Sequence, residues 1–144
     1  MNGDFAANCY SRAHVWRFDG GVEVPGSASP EIVPMPFARA DAIDPEEAFV
    51  AAIASWNMLW FLDLARQAGF ALASYRDAAE GRMARHARGR YWIDRVELNP
   101  VAKWLGDGPS FAQLHSLHEA AHRQCFIANS VRTEIVTNIQ EGRP

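Results

Sequence analysis

Residues 48–62 read Ala48-Phe49-Val50-Ala51-Ala52-Ile53-Ala54-Ser55-Trp56-Asn57-Met58-Leu59-Trp60-Phe61-Leu62, the longest apolar run in the chain, with only Ser55 and Asn57 as polar side chains. A helix that is apolar nearly all round has no solvent face, so it has to be covered on nearly every side. Asp44-Pro45-Glu46-Glu47 is a strong start for that helix: Asp44 can cap, Pro45 suits the first helical position and Glu47 stands where a capping box places it. The helix is expected to run to Gln67 or Ala68, with Gly69 as its stop. The run itself is shorter than the roughly 20 residues that span a bilayer. Charges close both ends, Glu46 and Glu47 before it and Asp63 and Arg66 after it. A core or dimer-interface helix is therefore expected, and because a small chain has few elements to cover it, an intimate homodimer.

The 144 residues fit one domain, taken as 1–144 with 1–9 as a loose tail. A formal net charge of -3 gives no electrostatic reason to expect nucleic acid or an anionic membrane as a partner. The basic cluster Arg82, Arg85, His86, Arg88 and Arg90 reads as a solvated hairpin tip. No basic start leads into an apolar stretch as in a secretory signal, so a reducing cytoplasm is expected. The two cysteines, Cys9 and Cys125, do not make a disulfide framework.

Alternation of aromatic and polar residues from Tyr10 to Phe18 predicts a strand, with a turn at Asp19-Gly20-Gly21 and a return strand from Val22 to Val24. Ile32-Val33 could form only an edge strand, since Pro30, Pro34 and Pro36 surround it. Two long strands, Leu72 to Arg82 and Tyr91 to Trp104, are expected on either side of a turn near Arg88-Gly89, with Pro100 marking an edge or a bulge. Ser110 with Gln113 predicts a capped second helix whose stripe carries Leu114, Leu117, His118, Ala121 and Cys125. Val131 to Ile139 reads as a closing strand. Strands, helix, strands, helix, strand make an α+β class.

Four groups of residues could carry chemistry. His118-Glu119-Ala120-Ala121-His122 is a literal H-E-x-x-H, in which two histidines one turn apart bind zinc and the glutamate activates water. A zinc hydrolase needs a third ligand, however, and the continuation Gly-x-x-His is missing; Glu134, Glu141 and His115 are the alternatives within the sequence. Such a short match also arises by chance. Cys125 is either a buried small hydrophobe or a reactive thiol. Arg39 and Glu46 are ordinary surface residues unless the fold unites them. Cys9, close to the terminus, is expected to be inert.

Taken in order, several segments resemble one family. They are Asp44-Pro45-Glu46-Glu47 opening an apolar helix, Ala68-Gly69-Phe70, Ile93 to Pro100, and the stretch from Ala121-His122-Arg123-Gln124-Cys125 to Thr133-Glu134. Together they look like the OsmC/Ohr proteins, the osmotically inducible protein C and organic hydroperoxide resistance proteins, over roughly Tyr10 to Ile139. The resemblance implies an α+β, OsmC-like fold: antiparallel sheets around the long helix, in an intertwined homodimer. It also implies thiol chemistry without a bound cofactor. A peroxidatic thiolate attacks the peroxide O–O bond and becomes a sulfenic acid, a second cysteine condenses with it to a disulfide, and a dithiol restores both. Cys125 matches that resolving cysteine, Glu46 the family glutamate, and Arg39 lies near the family's loop arginine at a shorter spacing. The position of the nucleophile holds Trp56, and its neighbour Asn57 stands where relatives often have histidine. An indole cannot attack a peroxide and is much larger than a thiol. A degenerate protein that binds an apolar or acyl small molecule, or acts as an interaction partner, is therefore expected. The alternatives are a one-cysteine peroxidase acting through Cys125, with His122 and Arg123 as cationic neighbours, and the zinc hydrolase.

Overall fold

The structure, a computed structural model, describes residues 3–87 and 89–140. Met1 and Asn2 of the expected tail, Arg88 of the basic cluster and its turn, and Glu141 of the zinc alternatives lie outside the described residues. The chain divides into two compact units, Met1–Phe49 and Val50–Pro144.

The first unit contains two small antiparallel ladders. Strands β1 (Gly3–Asp4) and β2 (Cys9–Tyr10) pair, so residues 3–10 form a hairpin where the sequence suggested a tail. Asp4 makes that hairpin: its Oδ1 accepts from the Ala7 amide at 3.1 Å, and Asn8 takes the positive φ of 61° that asparagine tolerates. Strand β3 (His14–Arg17) pairs with β4 (Glu23–Gly26), Trp16 opposite Val24, across a turn in which Gly21 has φ 83°. Ile32-Val33 is not a strand. Both amides donate to the Ser29 carbonyl, at 3.0 and 2.9 Å, in a turn set among prolines that cannot contribute to a ladder.

Helix α1 (Pro45–Gln67) starts with the anticipated capping box: the Glu47 amide donates to Asp44 Oδ1 at 2.7 Å and the Asp44 amide to Glu47 Oε2 at 3.2 Å. It ends at Gly69, whose φ of 85° turns the chain so that the Phe70 amide reaches the Ala65 carbonyl at 3.0 Å. At 23 residues the helix extends past the apolar run at both ends, and by length and composition it could cross a membrane, contrary to the estimate from the run alone. Only Ile53, Asn57, Phe61 and Ala65 are buried, one residue per turn along a single stripe.

The second unit holds most of α1, helix α2 (Phe111–Gln124) and the remaining strands. Each anticipated long strand is split. Strand β5 (Leu72–Asp77) pairs antiparallel with β8 (Pro100–Trp104), and β6 (Glu80–Arg85) pairs with β7 (Tyr91–Leu98). Asn99 stitches the break: its amide donates to Asp77 Oδ1 at 2.7 Å and its side chain to the Ala78 carbonyl at 2.8 Å. Strand β9 (Glu134–Thr137) closes the second sheet parallel to β7, with Arg95 opposite Glu134. The two helices and these mostly antiparallel sheets make the expected α+β class.

Phe61 is the centre of this unit's core. Its ring stacks on His118 of α2 with centroids 4.1 Å apart, and lies 5.5 Å from the Tyr75 ring and 6.1 Å from that of Trp104. Val96, Leu98, Ala121 and Cys125 are fully buried with it. The Ser110–Gln113 capping box starts α2 as anticipated, and its buried stripe carries His118 and Ala121.

Burial lowers the His118 pKa from 6.5 to about 4, helped by the nearby His115 charge. The folded protein therefore keeps the ring neutral where the unfolded chain would protonate it. This contribution to stability is complete above pH 6.5 and is lost as pH falls towards about 4. Expressed as free energy, the depression is on the order of 3 kcal/mol. Denaturant titrations should show wild type losing about that much more stability than His118→Leu between the two pH values. Parallel losses in the two proteins would show that His118 is not buried as a neutral ring.

Candidate functional site

Trp56 lies in α1, half-buried, and its indole meets the Phe126 ring edge-on at 5.1 Å, with 60° between the planes. Trp60, one turn further on, meets the same ring at 5.9 Å and 88°. Residues four apart on a helix share a face, so the Trp56–Trp60 pair was readable from spacing. Phe126 was not, because nothing in the sequence says that the residue after Cys125 turns towards α1.

Local hydrogen bonds explain that turn. Cys125 ends α2 in an extended conformation and its amide donates to the His122 carbonyl at 3.2 Å. A single 3-10 turn follows at Ala128–Ser130. Asn129 donates to the Arg123 carbonyl at 3.0 Å and the Ser130 hydroxyl to the Phe126 carbonyl at 2.7 Å. The Cys125 side chain is wholly buried at the base of this turn, where the Ala128 amide donates to Sγ at 3.4 Å. Among the described residues that amide is the thiol's only hydrogen-bond partner, and neither Arg123 nor His122 bonds to the sulfur. Both cysteines are free thiols, Cys125 buried and Cys9 exposed.

In the first unit, Arg39 and Glu46 do not pair. The Arg39 guanidinium forks onto Asp41, Nε at 2.9 Å and a terminal nitrogen at 2.7 Å, and its backbone amide donates to the buried Ser27 hydroxyl at 3.0 Å. The hydrogen bond and charge of Asp41 raise the Arg39 pKa, and Arg39 in turn lowers that of Asp41. Glu46 is half-buried in the first turn of α1, upstream of Trp56 on the same helix.

The H-E-x-x-H residues have other occupations. His118 faces the core against Phe61, while the exposed His115 lies 3.7 Å from Glu119. Among the described residues no group of three or more His, Cys, Asp or Glu is placed to hold a metal ion, so none of them supplies the third ligand of the zinc alternative.

The core around Phe61 contains polar atoms that find no partner among the described residues: both polar atoms of Asn57, Trp60 Nε1, the Tyr75 hydroxyl, Asp77 Oδ2 and His118 Nδ1. Burial raises the pKa of both Tyr75 and Asp77. Asn57 is the extreme case, 1% exposed between Ile53 and Phe61 on the buried stripe. A buried amide without a partner costs about 1–3 kcal/mol.

The OsmC-like protein family matches residues 38–140. A solved OsmC-like protein of unknown function from Vibrio cholerae is 45% identical, superposes with a TM-score of 0.91, and the match covers 94% of this chain and 89% of that one. This chain belongs to the OsmC-like family. The fold also recurs in an organic hydroperoxide resistance protein from Elizabethkingia anophelis (19% identity, TM-score 0.69, covering 88% and 85%). It recurs again in a putative organic hydroperoxide resistance protein of Vibrio cholerae with captopril in one active site (23% identity, TM-score 0.67, covering 88% and 82%). No curated protein matches the chain.

Replacing Asn57 by Leu keeps the volume and removes the orphan amide. Thermal melts of Asn57→Leu should show a raised Tm, a gain of about 1 kcal/mol or more. A fall in Tm would mean that the amide is satisfied in the folded protein.

Proposed function

We propose that this OsmC-like protein does not run the two-cysteine hydroperoxide cycle and instead binds an apolar or acyl small molecule as a homodimer. The observation that carries the reading is the chemistry of α1. It contains no cysteine, and Trp56, which the family resemblance puts at the nucleophile's position, packs on Phe126, the residue after the buried Cys125. The cycle needs a thiolate that can reach the peroxide and a second thiol that can reach the resulting sulfenic acid. Trp56 supplies no such sulfur. The burial of Cys125 counts equally against a one-cysteine peroxidase, because a reactive thiol needs both access and a cation to hold it as thiolate.

The same geometry supports a binding role. Trp56, Trp60 and Phe126 make an aromatic surface suited to alkyl chains. Leu59 is 49% exposed and Phe126 57% exposed, so apolar surface remains uncovered along this part of the unit. A second copy of the chain is the partner that fits it, consistent with a helix of which only one stripe is buried. Family membership supports the reading that α1 is covered by protein rather than by lipid.

With an organic hydroperoxide and dihydrolipoamide, the unmodified protein should give no turnover above the uncatalysed rate. Trp56→Cys should restore peroxide-dependent oxidation of the α1 thiol, read by mass spectrometry as a sulfenic acid or a disulfide to Cys125. Robust turnover by the unmodified protein would overturn the reading. Light scattering after size exclusion should give twice the 16.0 kDa chain mass, and a monomer at micromolar concentration would remove the dimer from the proposal.

A further inference from the structure

The basic cluster of the β6–β7 hairpin is not uniformly solvated. Arg82 is held by Asp94 on the facing strand, through contacts of 3.1 and 2.6 Å. Arg95 takes Glu97 at 2.7 Å and Glu134 at 2.9 Å. These pairs engage Asp94, Glu97 and Glu134. Arg85, Arg90 and Arg132 are left over, and among the described residues none of the three has an ion pair or a side-chain hydrogen bond; Arg90 and Arg132 share one cavity.

Arg90 and Arg132 come from distant parts of the sequence and are brought together by the parallel β7–β9 pairing. Its register sets Arg95 opposite Glu134, and just ahead of it the Thr133 hydroxyl donates to the Ile93 carbonyl at 2.8 Å. That carries Arg132 to the start of β7. At the hairpin tip the His86 amide donates to the Arg90 carbonyl at 2.7 Å, which sets His86 and Arg90 side by side. Between these groups lies a cavity of about 430 Å³ lined by His86, Arg90, Tyr91, Trp92 and Arg132. Its volume falls within the roughly 300–1,000 Å³ of small-molecule sites.

We propose that this cavity binds a planar aromatic oxyanion. Tyr91 and Trp92 offer ring faces and edges to a flat body, and His86 and Trp92 already meet edge-on at 6.4 Å and 79°. Arg90 and Arg132 present guanidinium forks that match a carboxylate or a phosphate bidentately. Two uncompensated cations beside two aromatic rings discriminate against neutral aromatics through charge and against bare inorganic anions through stacking. The residues lining this cavity do not include Trp56, Trp60 or Phe126.

Calorimetric titration of the intact protein with 2-naphthoate and with adenosine monophosphate separates the carboxylate and phosphate forms of the ligand. Inorganic phosphate and 2-naphthalenemethanol serve as the anion-only and ring-only controls. At least one aromatic oxyanion should bind, and both controls at least about tenfold more weakly. Arg132→Gln and Arg90→Gln should each weaken that binding at least about tenfold, the scale of one charge-assisted contact, with an unchanged melting temperature. No binding of either aromatic oxyanion up to about 5 mM would overturn the proposal, as would binding that both arginine variants retain. Inorganic phosphate binding as tightly as adenosine monophosphate would overturn the aromatic part of it.

Discussion

The stack of Phe61 on His118 is the contact on which the second unit depends. It joins the only deeply buried stripe of α1 to the buried stripe of α2, at 4.1 Å between ring centroids. Tyr75 and Trp104, from the two paired strands β5 and β8, close around the same phenyl ring. One side chain therefore ties together two helices and a sheet. A fully buried Phe contributes about 1.5–3 kcal/mol by area alone. The cost of the arrangement falls on His118, which is kept as a neutral ring with one nitrogen unpartnered.

That contact also decides between readings of the sequence. His118-Glu119-Ala120-Ala121-His122 has the letters of a zinc site, and helical spacing does bring its histidines to one face. The same spacing also places His118 on the stripe with Leu114, Ala121 and Cys125, and the core takes it. The pattern alone could not separate a ligand from a core histidine, since both need the same periodicity. Caps and stops were legible because they are local: Asp44 with Glu47, Ser110 with Gln113 and Gly69 each act within a few residues. The breaks in the two long strands were not, because Asn99 bonds across the sheet to Asp77 and Ala78, a partner that only tertiary structure supplies. The hairpin at residues 3–10 was missed for a different reason, its ladder being too short to leave any alternation.

The candidate site shows the same division. Family motifs located Trp56 and Cys125, and the structure sets the residue after Cys125 against Trp56. Arg39, which the motif suggested for the same site, is instead engaged by Asp41, two residues away in its own loop. A guanidinium already bonded to a carboxylate in a fork has little left to offer a thiolate or a peroxide. With no thiol on α1 to stabilise, nothing selects against that local pair. The absence of a cysteine from α1 and the local engagement of Arg39 are consistent with the proposed function.

Charge on the β6–β7 sheet carries the argument from fold to ligand. Whether an arginine is a structural group or a free one depends on what its register brings opposite it. Arg82 lies opposite Arg95 and reaches its neighbour Asp94, while Arg95 meets Glu97 two residues along its own strand and Glu134, which the parallel pairing sets opposite it. Arg90 and Arg132 fall where the ladders have run out, at the hairpin tip and before β9 begins, and no carboxylate is aligned with them. In sequence, five basic residues within 82–90 look alike, and Arg132 does not belong to the group at all. The structure separates Arg82, which holds the sheet through Asp94, from Arg90, which with Arg132 lines the cavity beside Tyr91 and Trp92.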